Sequence, residues 1–212
     1  MFDIEYKGGN TVTITSKKIT LCVDPRTSIV GGKDQNTTEK VELGTEARFL
    51  MDNPAARLLI EGPGEYEVGD FTIRGVATTR HIDTPTDEQL ATVYRIECGD
   101  VRVGVLGNVD PDLSEDQLEQ LGVIDVLIIP VGGGGYTLDA TNATLLISRI
   151  EPKVIVPIHY ADTGLRYEVP QESFDVFTKE LSLPIEETPK FKIKSASTLP
   201  VVPTIIHLTR TV

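Results

Sequence analysis

The chain of 212 residues has few of the side chains that bind transition metals, because it contains only two cysteines and three histidines. The cysteines, Cys22 and Cys98, are far apart in the sequence, and each falls within a stretch that we predict to be a β-strand. Two cysteines at this separation do not make a zinc site. We predict that both are buried free thiols, as in a reducing compartment.

Positive charge is also scarce, because 20 lysines and arginines stand against 32 acidic residues, which gives a net charge of −12. Binding to a nucleic acid backbone needs clustered basic side chains. The longest basic cluster alternates along one short predicted strand, where it indicates a solvated strand face; it consists of Lys190, Lys192 and Lys194. We therefore predict no nucleic acid partner.

Long apolar runs are missing as well. No stretch approaches the roughly 18 residues that a membrane-spanning helix needs. Residues 1–11 lack the basic flank and apolar run of a secretory signal. We predict no membrane partner, a cytoplasmic location and a single domain over residues 1–212, which is long enough to bury its own core.

Short strands dominate the first half of the sequence. Three segments alternate or run apolar and are separated by turn-forming residues, namely 2–6, 11–15 and 19–24. This pattern predicts a meander of hairpins. Residues 81–88 are polar and predict a loop, and the two strands that follow, 91–97 and 101–107, are predicted to pair.

Helices appear in the second half. Ser114 and Gln117 form a capping-box pattern at the start of a short helix that ends at Gly122. Apolar residues at a helical period predict a second helix over 139–150. A third helix is predicted over 170–181, beginning at its proline.

The strands of the second half differ from those of the first half. Residues 124–132 and 153–160 form continuous apolar runs, so we predict that both faces of these strands are buried. Strands followed by strand–helix–strand units predict an α/β fold in which two sheets form a sandwich with helices outside.

Five segments agree with one known family in order and spacing: IEYKGGNTVTI, LIEGPGEYEVGDFTIRGVA, VYRIECGDVRVGVLGNV, IDVLIIPVGGGGYTLDA and KVIVPIHYAD. Together they cover nearly the whole chain. The sequence thus resembles the metallo-β-lactamase fold, in particular the small bacterial hydrolase-like proteins related to ascorbate-6-phosphate lactonase. This resemblance implies a four-layer αββα sandwich whose site lies at the strand ends where the two sheets meet.

Typical members of this family hold one or two zinc ions, which lower the pKa of a bound water to make hydroxide. Their ligands include a Thr-His-x-His-x-Asp-His run. By the resemblance, this run falls on residues 44–50, where the ligand positions hold Thr45, Ala47, Phe49 and Leu50. None of these is a plausible zinc ligand, so we expect no metal and no other cofactor. Asp24, which supports the metal shell in relatives, is expected to be structural here.

Three positions of the family's site keep a polar side chain. By the resemblance, His159 matches the last histidine, His81 matches an earlier one loosely, and Asn108 replaces an aspartate that follows glycine. We interpret His159 as a remnant held by a hydrogen bond at a strand end. The alternative is a metal-free role for His159 as general base or ligand contact. Zinc stays possible if a nearby carboxylate completes a rearranged site, the candidates being Glu46, Asp52 and Asp110.

Tyr136 and Asp139 complete the candidate binding residues. They follow the glycines at 132–135, which come after a buried strand and precede a helix. Such a loop can hold an anion, although the Lys-Ser/Thr of a nucleotide-binding loop is missing and a tight turn is the simpler interpretation. Asp139 is expected to cap the helix or, alternatively, to line the site. The space of the missing metals is expected to be filled by apolar side chains, those of Phe49, Leu50 and Met51.

Two functions follow from these expectations. In the first, the chain has lost zinc hydrolysis and is a binding or assembly module for an unknown small molecule, as a homo-oligomer or as a subunit of a related active enzyme. In the alternative, the chain hydrolyses an ester or lactone, such as a phosphorylated sugar lactone, with His159 in a one-metal or metal-free site. A nuclease of the same superfamily is disfavoured, because the chain is short and acidic and lacks the zinc run.

Overall fold

The computed structural model describes residues 1–83 and 89–211. Their strands are β1 (Phe2–Gly8), β2 (Thr11–Ser16), β3 (Thr20–Val23), β4 (Val41–Gly44), β5 (Leu58–Glu61), β6 (Gly64–Val68), β7 (Phe71–Thr78), β8 (Ala91–Cys98), β9 (Val101–Val105), β10 (Val126–Pro130), β11 (Val154–Ile158), β12 (Ile185–Thr188), β13 (Phe191–Ile193) and β14 (Thr204–Leu208). The α-helices are α1 (Glu115–Leu121), α2 (Ala140–Ile150) and α3 (Phe174–Leu181).

The strands form two sheets. The order is β13-β1-β2-β3-β4-β5 in the first sheet and β12-β14-β11-β10-β9-β8-β7-β6 in the second. One cluster of buried side chains joins the two sheets; for example, the rings of Phe2 and Phe71 meet edge to face with centroids 6.5 Å apart. The α/β sandwich predicted from the sequence is therefore confirmed.

The first sheet begins with the predicted meander. Strands β1, β2 and β3 pair antiparallel, with Ile4 opposite Ile14 and Ile14 opposite Leu21. Side chains alternate between the faces of a strand, so Phe2, Ile4 and Tyr6 all point into the core. Strands β4 and β5 then extend the sheet in parallel.

The second sheet changes from antiparallel to parallel along its width. Strands β6 to β9 pair antiparallel, whereas β9, β10, β11, β14 and β12 run parallel. Every residue of β10 and β11 is buried, as predicted, because helices cover one face of these strands and the first sheet covers the other. The parallel strands bring their carboxyl ends to one edge of the sheet.

Two helices begin as the sequence predicts. At the start of α1, the Gln117 backbone N–H donates to Ser114 Oγ at 3.2 Å, and the Ser114 N–H donates to Gln117 Oε1 at 2.9 Å. At the start of α2, Asp139 Oδ1 accepts from the Asn142 N–H at 2.8 Å. The longest described helix, α2, has 11 residues, and no helix in residues 1–83 and 89–211 is long and apolar enough to span a membrane.

The third helix begins later than predicted, at Phe174 rather than at Pro170. The backbone N–H of Glu172 donates to the Gly132 carbonyl at 2.7 Å, and the Glu172 carbonyl accepts from the Ala161 N–H at 2.8 Å. These two bonds hold the segment before Phe174 in an extended form that bridges neighbouring loops. A proline is compatible with a first turn, but here tertiary hydrogen bonds decide where the helix starts.

Both cysteines are buried free thiols, as predicted. Burial raises the pKa of Cys22 to about 11, so its reactive thiolate form is rare at neutral pH. Neither thiol lines the site described next.

Candidate functional site

The candidate site lies where strand ends from both sheets meet. Asp24 follows β3, Thr45 follows β4, Asn108 lies just past β9, and His159 follows β11. All four residues are buried. Close packing joins the two sheets here, because a Cβ added to Gly107 would lie 2.3 Å from the Thr45 hydroxyl oxygen. The expected position of the site is thus occupied by polar residues that protein atoms surround.

His159 is enclosed on several sides and is only 3 % exposed. Its Nδ1 lies 2.7 Å from Asn10 Oδ1, and its backbone N–H donates to the Tyr6 hydroxyl at 3.3 Å. The Tyr167 ring stacks on the imidazole with centroids 5.1 Å apart, and the Tyr136 ring meets it edge-on at 6.4 Å. The backbone φ of His159 is +52°, a conformation that costs energy for a residue with a Cβ.

The surroundings of His159 fix its protonation. Burial, with a further contribution from the positive charge of Arg48, lowers the pKa of His159 to about 3. The ring is therefore neutral at pH 7. Because an amide oxygen only accepts, Nδ1 carries the proton and Nε2 is left as an acceptor. A base with so low a pKa removes protons weakly at neutral pH.

An arginine occupies the segment on which the family's histidine run falls. The Arg48 guanidinium carbon lies 4.5 Å from the centre of the Phe49 ring and 4.8 Å from the centre of the Tyr136 ring. Arg48 Nε lies 3.0 Å from Glu46 Oε2. Two aromatic rings and one carboxylate thus hold a cation beside the pocket of His159.

Glu46 is the buried partner of this arginine. Arg80 Nη1 approaches Glu46 Oε2 at 3.9 Å, and Asn108 Nδ2 donates to Glu46 Oε1 at 3.5 Å. Burial raises the pKa of Glu46, whereas Arg48, Arg80 and Asn108 lower it. The cluster is an ion-pair network in which the Glu46 carboxylate faces the guanidinium groups of Arg48 and Arg80.

The side chain of Asp24 is hydrogen-bonded to Thr45. Its carboxyl group accepts from the Thr45 N–H at 2.7 Å and from the Thr45 hydroxyl at 2.6 Å. Burial raises the pKa of Asp24 to about 8, against the effect of these hydrogen bonds. Asp24 thus clamps the end of β4, in line with the structural role expected for it.

His81 and Asn108 are neighbours, as their shared place in the expected site requires. The His81 backbone N–H donates to the Asn108 carbonyl at 2.8 Å. Within the described residues, His81 Nδ1 and Asn108 Oδ1 are buried and have no hydrogen-bond partner. Of the predicted loop 81–88, residues 84–88 lie outside the described part of the chain.

Two cavities adjoin the cluster. A small one of about 10 Å³ is lined in part by His159, Tyr136, Tyr167 and Phe49, which is room for at most one water. A larger one of about 300 Å³ is lined by residues on the other side of Arg48, among them Thr45, Glu46, Arg48, Glu61 and Arg80. Of these two cavities, only the larger one has room for more than one water.

The residues expected to fill the metal space have different roles. Phe49 lines the small cavity beside His159. Leu50 packs against Gly44, where an added Cβ would lie 2.7 Å from Leu50 Cγ. Met51 lines neither cavity, and its backbone N–H donates to Glu42 at 2.9 Å. Tyr167, which no sequence pattern singled out, covers the imidazole instead.

Tyr136 and Asp139 are separated by the structure. Tyr136 lies between Arg48 and His159, within the site. Asp139 lines neither cavity and caps α2, which is the simpler of its two expected roles. Gly133, the first of three consecutive glycines with positive φ, accepts from the Thr137 N–H at 3.4 Å, so the loop is a tight turn that needs glycine.

Sequence reasoning missed the residues that shape the pocket most, namely Asn10, Arg48 and Tyr167. By the resemblance, many relatives carry Gly-His-Ser where this chain has Gly8-Gly9-Asn10, and this correspondence is a signal that could have paired Asn10 with His159. Arg48 occupies a variable position of the lost run, and Tyr167 lies in an irregular loop. Neither position carries a pattern from which a contact could be inferred.

The residues present do not fit the zinc site of the family. In the described part of the chain, no three His, Cys, Asp or Glu side chains are grouped so that they could hold a metal ion. The nitrogen Nδ1 of His159 is engaged by Asn10, and the carboxylate of Glu46 is engaged by Arg48. We derive no reaction step through a metal.

The chain belongs to the β-lactamase superfamily, because the family described as "Beta-lactamase superfamily domain" matches residues 3–159. The chain is 36 % identical over 115 residues to a UPF0173 protein of Pyrococcus furiosus, a match that covers 54 % of this chain and 49 % of that protein. It thus spans about half the length of the curated relatives that it matches. The superfamily inferred from the sequence is confirmed, and the lactonase-like branch stays a prediction.

Solved structures show the same fold at low identity. A candidate Zn-dependent hydrolase of the metallo-β-lactamase superfamily from Thermotoga maritima aligns with a TM-score of 0.77 at 22 % identity, over 99 % of this chain and 100 % of that one. Igni18, a metallo hydrolase from Ignicoccus hospitalis, aligns with a TM-score of 0.64 at 17 % identity, over 91 % and 99 %. At these identities the likeness establishes the sandwich alone.

Proposed function

We propose that this member of the superfamily does not hydrolyse substrates through zinc and acts instead as a binding or assembly module. The observation that carries the proposal is the Arg48–Glu46 ion pair at 3.0 Å, in the segment on which the zinc-binding run falls. A guanidinium group stays charged at any physiological pH. Its charge repels a divalent cation from the buried carboxylate of Glu46.

The larger cavity supports a binding role. It offers about 300 Å³ beside Glu46, Arg48 and Arg80, which is the size of a small ligand site. The proposed ligand is a small molecule of unknown identity. The partners proposed from the resemblance are further copies of the chain or a related active subunit, in the cytoplasm, where the thiols of Cys22 and Cys98 stay reduced.

Metal content tests the absence of zinc. We expect plasma emission to find far less than about one zinc per chain in protein purified without chelator, whereas a catalytic site would hold one or two ions. The variants His159→Ala and His207→Ala are measured alongside the natural chain. His207→Ala is the control, because His207 is a histidine outside the cluster. The proposal would be contradicted if the natural chain held nearly one zinc per chain, and if His159→Ala lost this zinc while His207→Ala kept it.

Sedimentation velocity tests the assembly role separately. We expect the purified chain to sediment as a dimer or larger species at micromolar concentration. A monomer at every concentration, alone and with a related active hydrolase, would remove self-assembly and subunit pairing from the proposal. The binding role would then rest on the cavity alone.

The second candidate is the hydrolase with a rearranged site. The observation in its favour is a pair of buried polar atoms that have no hydrogen-bond partner among the described residues, His81 Nδ1 and Asn108 Oδ1. An assay of phosphorylated sugar lactone hydrolysis tests this candidate, with the release of acid as the measured signal. Turnover that His159→Ala abolishes and His207→Ala preserves would favour this candidate over the module.

A further inference from the structure

We infer that the larger cavity binds small monocarboxylates with an apolar body, and that the unused edge of the Arg48 guanidinium holds their carboxylate group. This inference rests on the proposed function, because it gives a chemical class to the small molecule of the binding role. Recognition is assigned to an arginine and needs no metal ion.

The guanidinium of Arg48 has one edge without a partner. Arginine can hold a carboxylate by two parallel hydrogen bonds along an edge of its planar group. The edge formed by Nε and Nη2 faces Glu46, because Nη2 donates to Oε1 at 3.2 Å and Nε lies 3.0 Å from Oε2. Within the described residues, Nη1 makes no hydrogen bond. The edge formed by Nη1 and Nη2 thus keeps donors for a ligand.

Aromatic rings hold this guanidinium in place. Its carbon lies 4.5 Å from the centre of the Phe49 ring and 4.8 Å from the centre of the Tyr136 ring. The Arg48 side chain is nevertheless 31 % exposed, and it lines the 300 Å³ cavity. With rings against its plane and one edge on Glu46, its remaining edge is the part that a ligand in the cavity can reach.

The charges around the cavity favour a ligand with a single negative charge. Arg80 Nη1 also lies 3.9 Å from Glu46 Oε2, and Arg80 donates two hydrogen bonds of 2.7 Å to Asp83. Two arginines and two carboxylates therefore balance. Glu61 lines the cavity and is exposed, so a second negative charge on the ligand would be repelled. A carboxylate is thus favoured over a phosphate monoester, whose charge is close to −2.

The rest of the cavity fits an apolar body. Three of its lining residues are apolar, namely Ala47, Pro63 and Leu90. Leu90 is 50 % exposed, and a ligand placed against it would remove apolar surface from water. The Tyr94 hydroxyl donates to the Gly44 carbonyl at 2.8 Å and lies 3.3 Å from the Gly62 carbonyl. Both glycines line the cavity, so this wall is in place before a ligand binds.

Titration of the nitrogen-15-labelled chain with benzoate and with hexanoate, followed by NMR, tests the inference. Benzamide and hexanamide are the matched controls, because they keep the apolar body and lose the charge. Inorganic phosphate tests the selection for a single charge. We expect at least one of the two carboxylates to bind saturably, with its amide and phosphate binding about tenfold or more weakly, the scale of one hydrogen bond to a charged group.

Variants locate the binding site. Arg48→Gln removes the charge, and Arg48→Lys keeps the charge but cannot form the bidentate contact. We expect carboxylate affinity to fall about tenfold or more in Arg48→Gln and about threefold or more in Arg48→Lys. Arg74→Gln, which removes an arginine paired with Glu65 outside the cavity, should bind like the natural chain. If circular dichroism shows that Arg48→Gln does not fold, Arg48→Lys decides, because it keeps a counter-charge for Glu46.

The inference and the proposed function fail in different ways. Three results would each overturn the inference: no saturable binding of either carboxylate, equal binding of the amide or of phosphate, or equal binding by the folded Arg48 variants. The absence of zinc and the assembly role would then still stand, because they are measured separately. Carboxylate binding that EDTA abolishes and Arg48→Gln retains would indicate a bound metal ion, and would overturn both.

Discussion

The loop after β4 and the end of β11 both reach the candidate site and differ in the side chains that they hold there. Here the β4 loop, residues 45–53, carries the Arg48–Glu46 ion pair, and the β11 end keeps the imidazole of His159 under the Tyr167 ring. One side is an ion pair, whereas the other is a buried imidazole.

The comparison shows that the two regions are held in different ways. In the β4 loop, Glu42 holds the backbone, because its carboxylate accepts from the backbone N–H groups of Met51, Asp52 and Asn53. At the β11 end the donor remains, but burial keeps it neutral and Asn10 takes one nitrogen. Each arrangement can be broken separately.

The largest effect is expected from Glu42→Ala, which removes the acceptor for three loop N–H groups and for the Thr37 hydroxyl at 2.6 Å. We expect the free energy of unfolding to fall by about 3 kcal/mol or more, because buried donors to a charged group lose their partner. Urea denaturation measures it. Glu42→Gln, which keeps one acceptor oxygen, is the control and should lose less; equal losses would contradict this role of Glu42.

A pH-dependent effect is expected at the β11 end. The pKa of His159 is about 3 when folded and 6.5 ordinarily, so between these values the unfolded chain binds a proton that the folded chain does not. Stability is therefore lost as the pH falls from 6.5 toward 3, by at most about 1.4 kcal/mol per pH unit. His159→Asn, which tolerates the left-handed backbone, should show a flatter slope in urea denaturation between pH 6 and pH 4.

Asp24 acts in the opposite direction and does not disturb this comparison. Its pKa is raised to about 8, so stability from this group falls as the pH rises from about 4 toward 8. The natural chain and the His159→Asn variant both contain Asp24. Its effect therefore cancels when the pH dependence of stability is compared between these two proteins. His207→Asn is the matched control and should keep the natural slope; parallel slopes for His159→Asn and the natural chain would contradict a buried neutral imidazole.

The smallest effect is expected where the β4 loop begins. Thr45→Val removes the hydroxyl that donates to Asp24 at 2.6 Å, so we expect a loss of about 1 kcal/mol. Thr45→Ser keeps the hydroxyl and should recover most of the difference, apart from one methyl group. Thermal unfolding of the two variants side by side measures the loss of stability. A serine variant as unstable as the valine variant would show that packing against Gly107, rather than the hydroxyl, dominates.

Local patterns were enough to predict much of the fold. The hairpins of β1 to β3, the buried strands β10 and β11, and the caps of α1 and α2 each follow from a few adjacent residues. The start of α3 was wrong because Glu172 is held by hydrogen bonds to Gly132 and Ala161, residues distant in the sequence. Such contacts leave no local pattern.

The site was predictable only in part, for the same reason. His159, His81 and Asn108 could be assigned to the site through the resemblance to the family's motifs. The pairing of His159 with Asn10, 149 residues away in sequence, depends on how the sheets stack, and so does the contact of Arg48 with Tyr136. The contacts that shape this pocket are therefore long-range contacts between side chains that belong to no recognisable sequence pattern.

Anomalous scattering at the zinc edge, from crystals of the natural chain grown with zinc, tests the central claim most directly. The account predicts no anomalous peak among Glu46, His81, Asn108 and His159, with the Arg48 guanidinium against Glu46. A full-occupancy zinc beside His159, bound by these side chains with Arg48 turned away, would contradict it.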